Sequence, residues 1–155
     1  MELHGIELDN LLAHLGKLVA AFLITLPVAW NREASTRAMG LRTFPLVAVA
    51  SCGFVLLGLQ VVVGSPAEQG RIIAGLMTGM GFIGGGAILK ESGGVKGTAT
   101  AAGIWSTGAV GSAVGYGEYE VALVVSVITF LILLVLTPLE RELGKHDRPE
   151  NSEGE

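Results

Sequence analysis

One stretch of the chain, residues 71–116, constrains the fold most, because its two long segments combine many glycines with apolar interiors that carry no ionisable side chain. A glycine inside a helix exposed to water costs about 1 kcal/mol relative to alanine. Between membrane helices, small residues instead let two backbones approach closely. Half of the 155 residues are hydrophobic and 15% are charged, with a mean hydropathy of +0.60. The glycines therefore predict surfaces of close contact between helices in a membrane protein.

Five apolar segments of bilayer length are separated by charged residues or by glycine and proline. They cover residues 11–30, 44–63, 72–89, 98–115 and 121–139. This pattern predicts an all-α fold, a polytopic bundle of five transmembrane helices with glycine-rich third and fourth helices. Residues 1–10 are predicted to be a short extracytoplasmic N-terminus, residues 11–139 the membrane domain and residues 140–155 a charged cytoplasmic tail.

The loop charges predict the orientation, since lysine and arginine prefer the cytoplasmic side of a membrane. On one side of the five segments only Arg71 is basic. The first loop, the third loop and the tail share the other side and carry Arg32, Arg37, Arg42, Lys90, Lys96, Arg141, Lys145 and Arg148. We therefore expect a multi-pass protein of the bacterial plasma membrane, with its N-terminus outside and its C-terminus in the cytoplasm.

Small residues form stripes on the third and fourth segments. Spacings of four, three and four place on one helical face Gly75, Gly79, Phe82 and Gly86. The fourth segment has a matching stripe of Thr100, Gly103, Thr107, Gly111 and Gly115. Together the stripes predict a tight hairpin of these two helices.

The third segment has further glycines, Gly81, Gly84 and Gly85, which point elsewhere around the helix and predict several neighbours or a second subunit. Two interpretations of the glycines stay open. Either they serve packing alone, or the run at residues 84–86 interrupts the helix and exposes carbonyl groups to a cavity, as broken helices do in transporters.

The sequence contains no convincing motif for catalysis, metal binding or cofactor binding. Residues 79–84, GMGFIG, match the GxGxxG fingerprint of dinucleotide sites, but that fingerprint needs a preceding strand and a following helix, and here it lies inside a predicted membrane helix. The chain has no HExxH motif, no pair of cysteines and no plausible Ser/His/Asp set. All fourteen Asp and Glu residues lie in tails, loops or segment edges, which disfavours a metal site in the membrane. We expect no catalytic residue, no metal, no cofactor and no nucleic-acid partner.

Two ionisable residues, His14 and Lys17, lie well inside a predicted span and are three residues apart on one face. Charge inside a membrane is costly, so such residues are functional candidates. Lys17 can extend its flexible stem to the outer surface. The alternative is a polar contact inside the bundle or with another membrane protein.

The first loop, residues 29–46, is the densest polar region and contains Arg32, Glu33, Arg37, Arg42 and Thr43. One interpretation is that it sets the topology and contacts anionic lipid headgroups. The other is an ordered loop folded under the bundle, with Arg42 bonded to carbonyls at a helix end, that serves as a docking surface.

With these motifs the chain resembles the MgtC/SapB family of bacterial inner-membrane proteins. The resemblance covers about residues 11–139. It is carried by the Arg32-Glu33 pair, GLRTFPLVAVA from residue 40, RIIAGLMTGMGFIGGGAIL from residue 71 and VKGTATAAGIW from residue 95, followed by GAVGSAVGYGEY. The family usually has Glu where this chain has Asn31, and an acidic residue shortly before Arg71, for which Glu68 is the nearest candidate.

The resemblance implies a five-span domain associated with adaptation to low magnesium, acid stress and, in pathogens, survival in host cells. It also implies action by binding other membrane proteins, the ATP synthase among them, and a homo-oligomer is a further candidate. Larger members carry a cytoplasmic C-terminal domain, which we expect to be absent here. Our leading hypothesis is a non-enzymatic regulator of partner membrane proteins that presents the first loop to the cytoplasm. The alternative is a transporter or channel for magnesium or another small ion.

Overall fold

The computed structural model describes residues 8–36, 39–62, 64–91 and 94–146. Two short antiparallel strands, β1 and β2, join α3 to α4. The elements in chain order are α1 (Leu8–Thr36), α2 (Thr43–Val61), α3 (Pro66–Gly86), β1 (Leu89–Glu91), β2 (Gly94–Lys96), α4 (Thr98–Tyr116) and α5 (Tyr119–His146). The predicted bundle of α-helices is confirmed.

Three of the helices in the described ranges are long and apolar enough to cross a membrane, over Leu8–Ser35, Thr43–Val61 and Tyr119–Leu139. The other two, α3 and α4, have 21 and 19 residues. At 1.5 Å per residue these are about 30 Å long, close to the thickness of the hydrocarbon core. Their hydropathy is lower because glycine, serine and threonine replace larger apolar residues. The count of five spans stays a prediction.

Helix α4 lies at the centre and contacts each of the other four helices. Its central position explains its composition, since a helix covered by protein needs small residues for close packing more than large residues for lipid. Its buried residues are Thr100, Gly103, Ile104, Thr107, Gly108, Val110, Gly111, Val114 and Gly115.

Two clusters of buried apolar residues surround α4. One joins α1, α2, α4 and α5 through Ala21, Ala48, Cys52, Val110, Val114 and Ala122. The other is centred on the fully buried Phe44 and Ile104 and also contains Val28, Ala29, Ala87 and Leu133. The first cluster consists of alanine, cysteine and valine, whereas the second also contains the larger side chains of Phe44, Ile104 and Leu133.

The ends of α3 differ from the predicted segment of residues 72–89. The helix begins at Pro66 behind Ser65, whose hydroxyl accepts a hydrogen bond from the backbone N–H of Glu68 at 3.4 Å. The sequence Ser-Pro-Ala-Glu is a helix-start signal that would have located this end. The helix is continuous through residues 84–86 and ends there, so the interpretation of a helix interrupted by the glycine run is wrong.

Candidate functional site

The small-residue stripe of α4 faces α2. A methyl group at Gly103 would lie 2.9 Å from Cε1 of Phe44, and one at Gly115 would lie 2.7 Å from Cβ of Val55. One at Gly111 would overlap the carbonyl oxygen of Ala48. The structure therefore differs from the predicted hairpin, in which this stripe faced the glycines of α3. The reason is that α2 presents small residues of its own, so α2 and α4 approach until their backbones touch.

A different face of each helix joins α3 to α4. Met80 lies against Gly108, where a methyl group would overlap the methionine sulfur, and Gly84 lies against the backbone of Ala101. Met80 and Gly84 are the buried residues of α3. They lie on the opposite side of the helix from Gly75, since residues five and nine positions apart point about 140° and 180° away.

The remaining predicted packing glycines of α3 are open. Apart from the adjoining residues and the nearby backbone of α3 itself, no heavy atom of the described residues lies within 4 Å of the position that a Cβ would occupy at Gly75, Gly79, Gly81, Gly85 and Gly86. Gly84 alone of the six meets another helix, at Ala101. A packing role for the other five stays a prediction, and it requires a surface from outside the described residues.

An apolar groove runs between α2 and α3 beside the open glycines. It encloses about 810 Å³, and one of its walls is formed by α3. Arg71 is the charged residue of its lining, which includes Phe54, Leu57, Gly75, Gly79 and Ile83. A smaller cavity of about 320 Å³ lies on the other side of α3, between Met77, Trp105 and Tyr116. Helix α3 is thus a ridge with a concave apolar surface on either side.

An ion pair lies at the first turns of α3. The Arg71 guanidinium contacts the Glu68 carboxylate, and the two side chains are 76% and 43% exposed. Arg71 lies on α3 itself, with Gly75 one turn further along. An exposed ion pair of this kind adds little stability, so both side chains are available to other partners.

Lys17 makes a contact inside the bundle. Its ammonium group donates a hydrogen bond to the carbonyl oxygen of Gly115 at 2.9 Å. The carbonyls of Ala113 and Val114 accept from the backbone after α4, so Lys17 satisfies the next free carbonyl at this helix end. A cation is favoured there by the helix dipole. A polar contact inside the bundle, one of the two interpretations, thus agrees with the structure. His14 is half-buried one turn before it.

We expect Lys17→Met to lower the free energy of unfolding by about 1 kcal/mol, because the Gly115 carbonyl loses its donor while a partly buried charge is also removed. Unfolding by denaturant in detergent micelles measures this. The matched control is Leu15→Met, since Leu15 is 52% exposed toward the surface of the bundle. Equal stability of the two variants would show that the hydrogen bond contributes nothing.

The predicted first loop is mostly helix. Arg32 and Glu33 belong to α1, and Arg32 is only 3% exposed, so it is not presented on a loop. Thr43 is the first residue of α2, and Arg37 lies outside the described residues. Arg42 precedes α2 and makes no side-chain cap hydrogen bond. The helix simply continues past the apolar segment, because Asn-Arg-Glu-Ala contains no residue that breaks it.

Glu33 contacts Gly40 and Leu41, two of the described residues that precede α2. Its carboxylate accepts a hydrogen bond from the backbone N–H of Leu41 at 3.1 Å. Gly40 lies directly against the Glu33 backbone, where a methyl group would come within 2.6 Å of Cα. The hypothesis of an ordered loop that serves as a docking surface stays a prediction, and in the described residues it is Glu33 that contacts the residues before α2.

Two contacts between helices were missed in the sequence. The hydroxyl of Ser126 on α5 donates to the carbonyl of Ile24 on α1 at 2.6 Å. Ser106 on α4 and Thr129 on α5 share a hydrogen bond. Serine and threonine in apolar helices commonly form hydrogen bonds to neighbouring helices. The presence of these hydroxyl residues in the apolar segments was therefore the sequence signal for the two contacts. In the ranges that the structure describes, no group of three or more His, Cys, Asp or Glu could hold a metal ion.

Comparison with known proteins agrees with this architecture. The model of the MgtC family matches residues 18–142. Protein MgtC of Salmonella choleraesuis is 33% identical over 138 residues, which are 89% of this chain and 58% of that protein. Protein MgtC of Brucella abortus is 36% identical over 133 residues, or 85% of this chain and 55% of the relative.

Protein SrpB of Synechococcus elongatus is 35% identical over 137 residues, which are 81% of this chain and 75% of that protein. The chain therefore spans somewhat more than half the length of the MgtC proteins and a larger share of SrpB. No solved structure matches it. The family model covers most of the residues that form the bundle, and on that ground the chain belongs to the MgtC family.

Proposed function

We propose that this protein is a non-enzymatic membrane regulator that acts by binding other membrane proteins through α3. The observation that supports this most is the contrast between two glycine-rich helices. Atoms of α2, α3 and α5 occupy the space beside the glycines of α4, whereas six glycines of α3, Gly70 included, meet no other helix in the described residues. Two of these open glycines, Gly75 and Gly79, line a groove that is long and apolar.

An open glycine on a membrane helix needs an explanation. Glycine lowers helix stability by about 1 kcal/mol relative to alanine, and against lipid it gains no packing in return. Against another helix it allows close approach of two backbones, with dispersion contacts along both. The open glycines that line the groove, Gly75 and Gly79, are therefore best explained by a partner helix.

The cellular role is proposed from the family. The resemblance implies adaptation to low magnesium or acid stress through regulation of partner proteins, with the ATP synthase as one candidate. We assign this role to the chain together with five spans, an outside N-terminus and a cytoplasmic C-terminus. The central position of α4 supports the five spans, because a helix enclosed by membrane-crossing neighbours of similar length lies at the same depth as they do.

The proposal predicts that Gly79→Leu abolishes co-purification of the partner after cross-linking in native membranes, because the new side chain fills the groove. The fold should be kept, since nothing lies within 4 Å of a Cβ at this position. Gly81→Leu is the matched control, because Gly81 is equally open but is not part of the groove lining. Thermal unfolding of both purified variants checks the fold.

Two outcomes would contradict the proposal. One is retention of the partner by the Gly79→Leu protein to the same degree as by Gly81→Leu. The other is a robust and saturable ion flux by the pure protein in liposomes, which would favour the alternative of a transporter or channel.

A further inference from the structure

We infer that the groove between α2 and α3 receives α3 of a second copy of this chain, in a two-fold symmetric dimer whose axis is parallel to the membrane normal. This inference rests on the proposed function in one respect, because it names a partner for the same α3 surface. It is argued from the shape of the groove, the charges at its end and an exposed aromatic residue on α3.

The outward face of α3 combines small residues with opposite charges. Spacings of three, four, four and three residues place on one narrow stripe Glu68, Arg71, Gly75, Gly79 and Phe82. The buried residues Met80 and Gly84 point away from this stripe. The stripe is therefore the face of α3 that is farthest from α4, and Arg71, Gly75 and Gly79 form part of the groove wall.

The groove has the length of a membrane helix. Along α2 its lining runs from Leu46 to Val62, which corresponds to about 24 Å at 1.5 Å per residue. Most of the hydrocarbon thickness is thus lined by a continuous apolar channel that is open on one side. A helix packs into such a groove between two helices by placing its own ridge of side chains there.

The charges at the groove end favour a second copy over an anionic phospholipid. The phosphate of such a lipid would be attracted by Arg71 and repelled by Glu68, which is one turn away and 43% exposed. Two parallel copies of α3 place each Arg71 at the depth of the partner's Glu68, so both signs are matched twice by the symmetry. The N-terminal end of α3 thus supplies both the positive and the negative charge that the second copy needs.

Phe82 supplies a side chain that fits the groove. It is 86% exposed, the largest exposed fraction among the large apolar residues in the described ranges. It precedes Ile83, which lines the groove at the end near Leu46. In a dimer whose axis is parallel to the membrane normal, equivalent residues of the two copies lie at the same depth in the membrane. Phe82 of one copy therefore meets this end of the other copy's groove. A symmetric pair buries both rings and closes the assembly at two chains.

The first test is disulfide cross-linking of the full chain in native membranes, in a Cys52→Ala background. Gly79→Cys should give a cross-linked dimer on mild oxidation, because close-packed helices bring facing Cα atoms within the distance of about 4.4–6.8 Å that a disulfide needs. Gly81→Cys is the control, since it points away from the stripe, and it should stay monomeric. No dimer from Gly79→Cys, or equal dimer from both positions, overturns the inference.

The second test uses the charges and separates the dimer from a general effect on folding. Arg71→Glu and Glu68→Arg should each weaken self-association about tenfold, as measured by dilution of labelled protein in lipid vesicles, because like charges are then juxtaposed. A mixture of the two variants, with different tags, should associate at least as well as the wild type, since one copy is doubly acidic and the other doubly basic. Failure of the mixture to associate overturns the inference.

These tests fail independently of the proposed function. A dimer that forms while Gly79→Leu still binds a different membrane protein refutes the proposed function and leaves the inference standing. Loss of a different partner in Gly79→Leu, with no dimer in either test, refutes the inference alone. A monomer in lipid vesicles that carries a bound phospholipid also overturns it.

Discussion

Gly111→Ala is expected to destabilise the bundle by about 3 kcal/mol. A methyl group at Gly111 would overlap the carbonyl oxygen of Ala48 and lie 2.8 Å from both its carbonyl carbon and its Cα. These are backbone atoms and cannot rotate aside as a side chain could. To admit the methyl group α2 and α4 must separate, and the contacts between the central helix and its neighbour weaken along their length.

The matched control for this prediction is Gly79→Ala on α3. There the methyl group enters open space, and alanine favours the helix by about 1 kcal/mol. The free energy of unfolding of the two variants in detergent micelles should therefore move in opposite directions. If Gly111→Ala were as stable as the wild type, the close contact between α2 and α4 would be refuted.

Phe44→Ala is expected to destabilise the protein by about 3 kcal/mol. Phe44 is fully buried, and its ring contacts Gly103 in the cluster that includes Ile104 and Leu133. In a membrane the transfer of the ring to an apolar phase contributes little, because lipid is as apolar as the core. The cost comes from the cavity and from the dispersion contacts that the ring leaves behind.

The control is the same substitution at an exposed position. Phe82→Ala should change the free energy of unfolding by less than about 0.5 kcal/mol, because Phe82 is 86% exposed. The measurement is made in detergent at a protein concentration low enough to keep the chain monomeric. Chemical unfolding of both variants measures the difference. If Phe44→Ala and Phe82→Ala lowered the free energy of unfolding equally, the packing of Phe44 against Gly103 of α4 would be contradicted.

The sequence predicted the helices because apolar length and glycine punctuation depend on local chemistry. It located the ends less well. Ser65 and Pro66 start α3 several residues before the apolar segment, and α1 continues through Arg32 to Thr36. Polar residues can extend a membrane helix into water, so the apolar boundary and the helix boundary need not coincide. The hairpin of β1 and β2 was not predicted, since its strands have three residues each.

The partner of the α4 stripe could not be read from spacing alone. The spacing of Gly103, Gly111 and Gly115 identifies a face, but it does not say which helix covers that face. A second signal was present on α2, where Ala48 and Cys52 are four residues apart and form a small-residue pair. Because a glycine stripe on α3 was the more obvious match, the sequence favoured the wrong pairing of helices.

The polar residues show the same limit. His14 and Lys17 were identified as membrane-buried candidates, yet the acceptor of Lys17, the Gly115 carbonyl, is a backbone atom of a helix distant in sequence. A backbone carbonyl carries no signal in the residue types around it. Only the packing of α1 beside the end of α4 brings the two groups together.

The central claim is that the glycine face of α3 is a protein-binding surface, and site-specific photo-cross-linking in native membranes tests it most directly. A photoreactive amino acid is placed at Gly79, which lines the groove, and at Gly81, which is open but does not. The account predicts protein adducts at Gly79, to a second copy or to another membrane protein, and mainly lipid adducts at Gly81. Lipid adducts alone at both positions would contradict it.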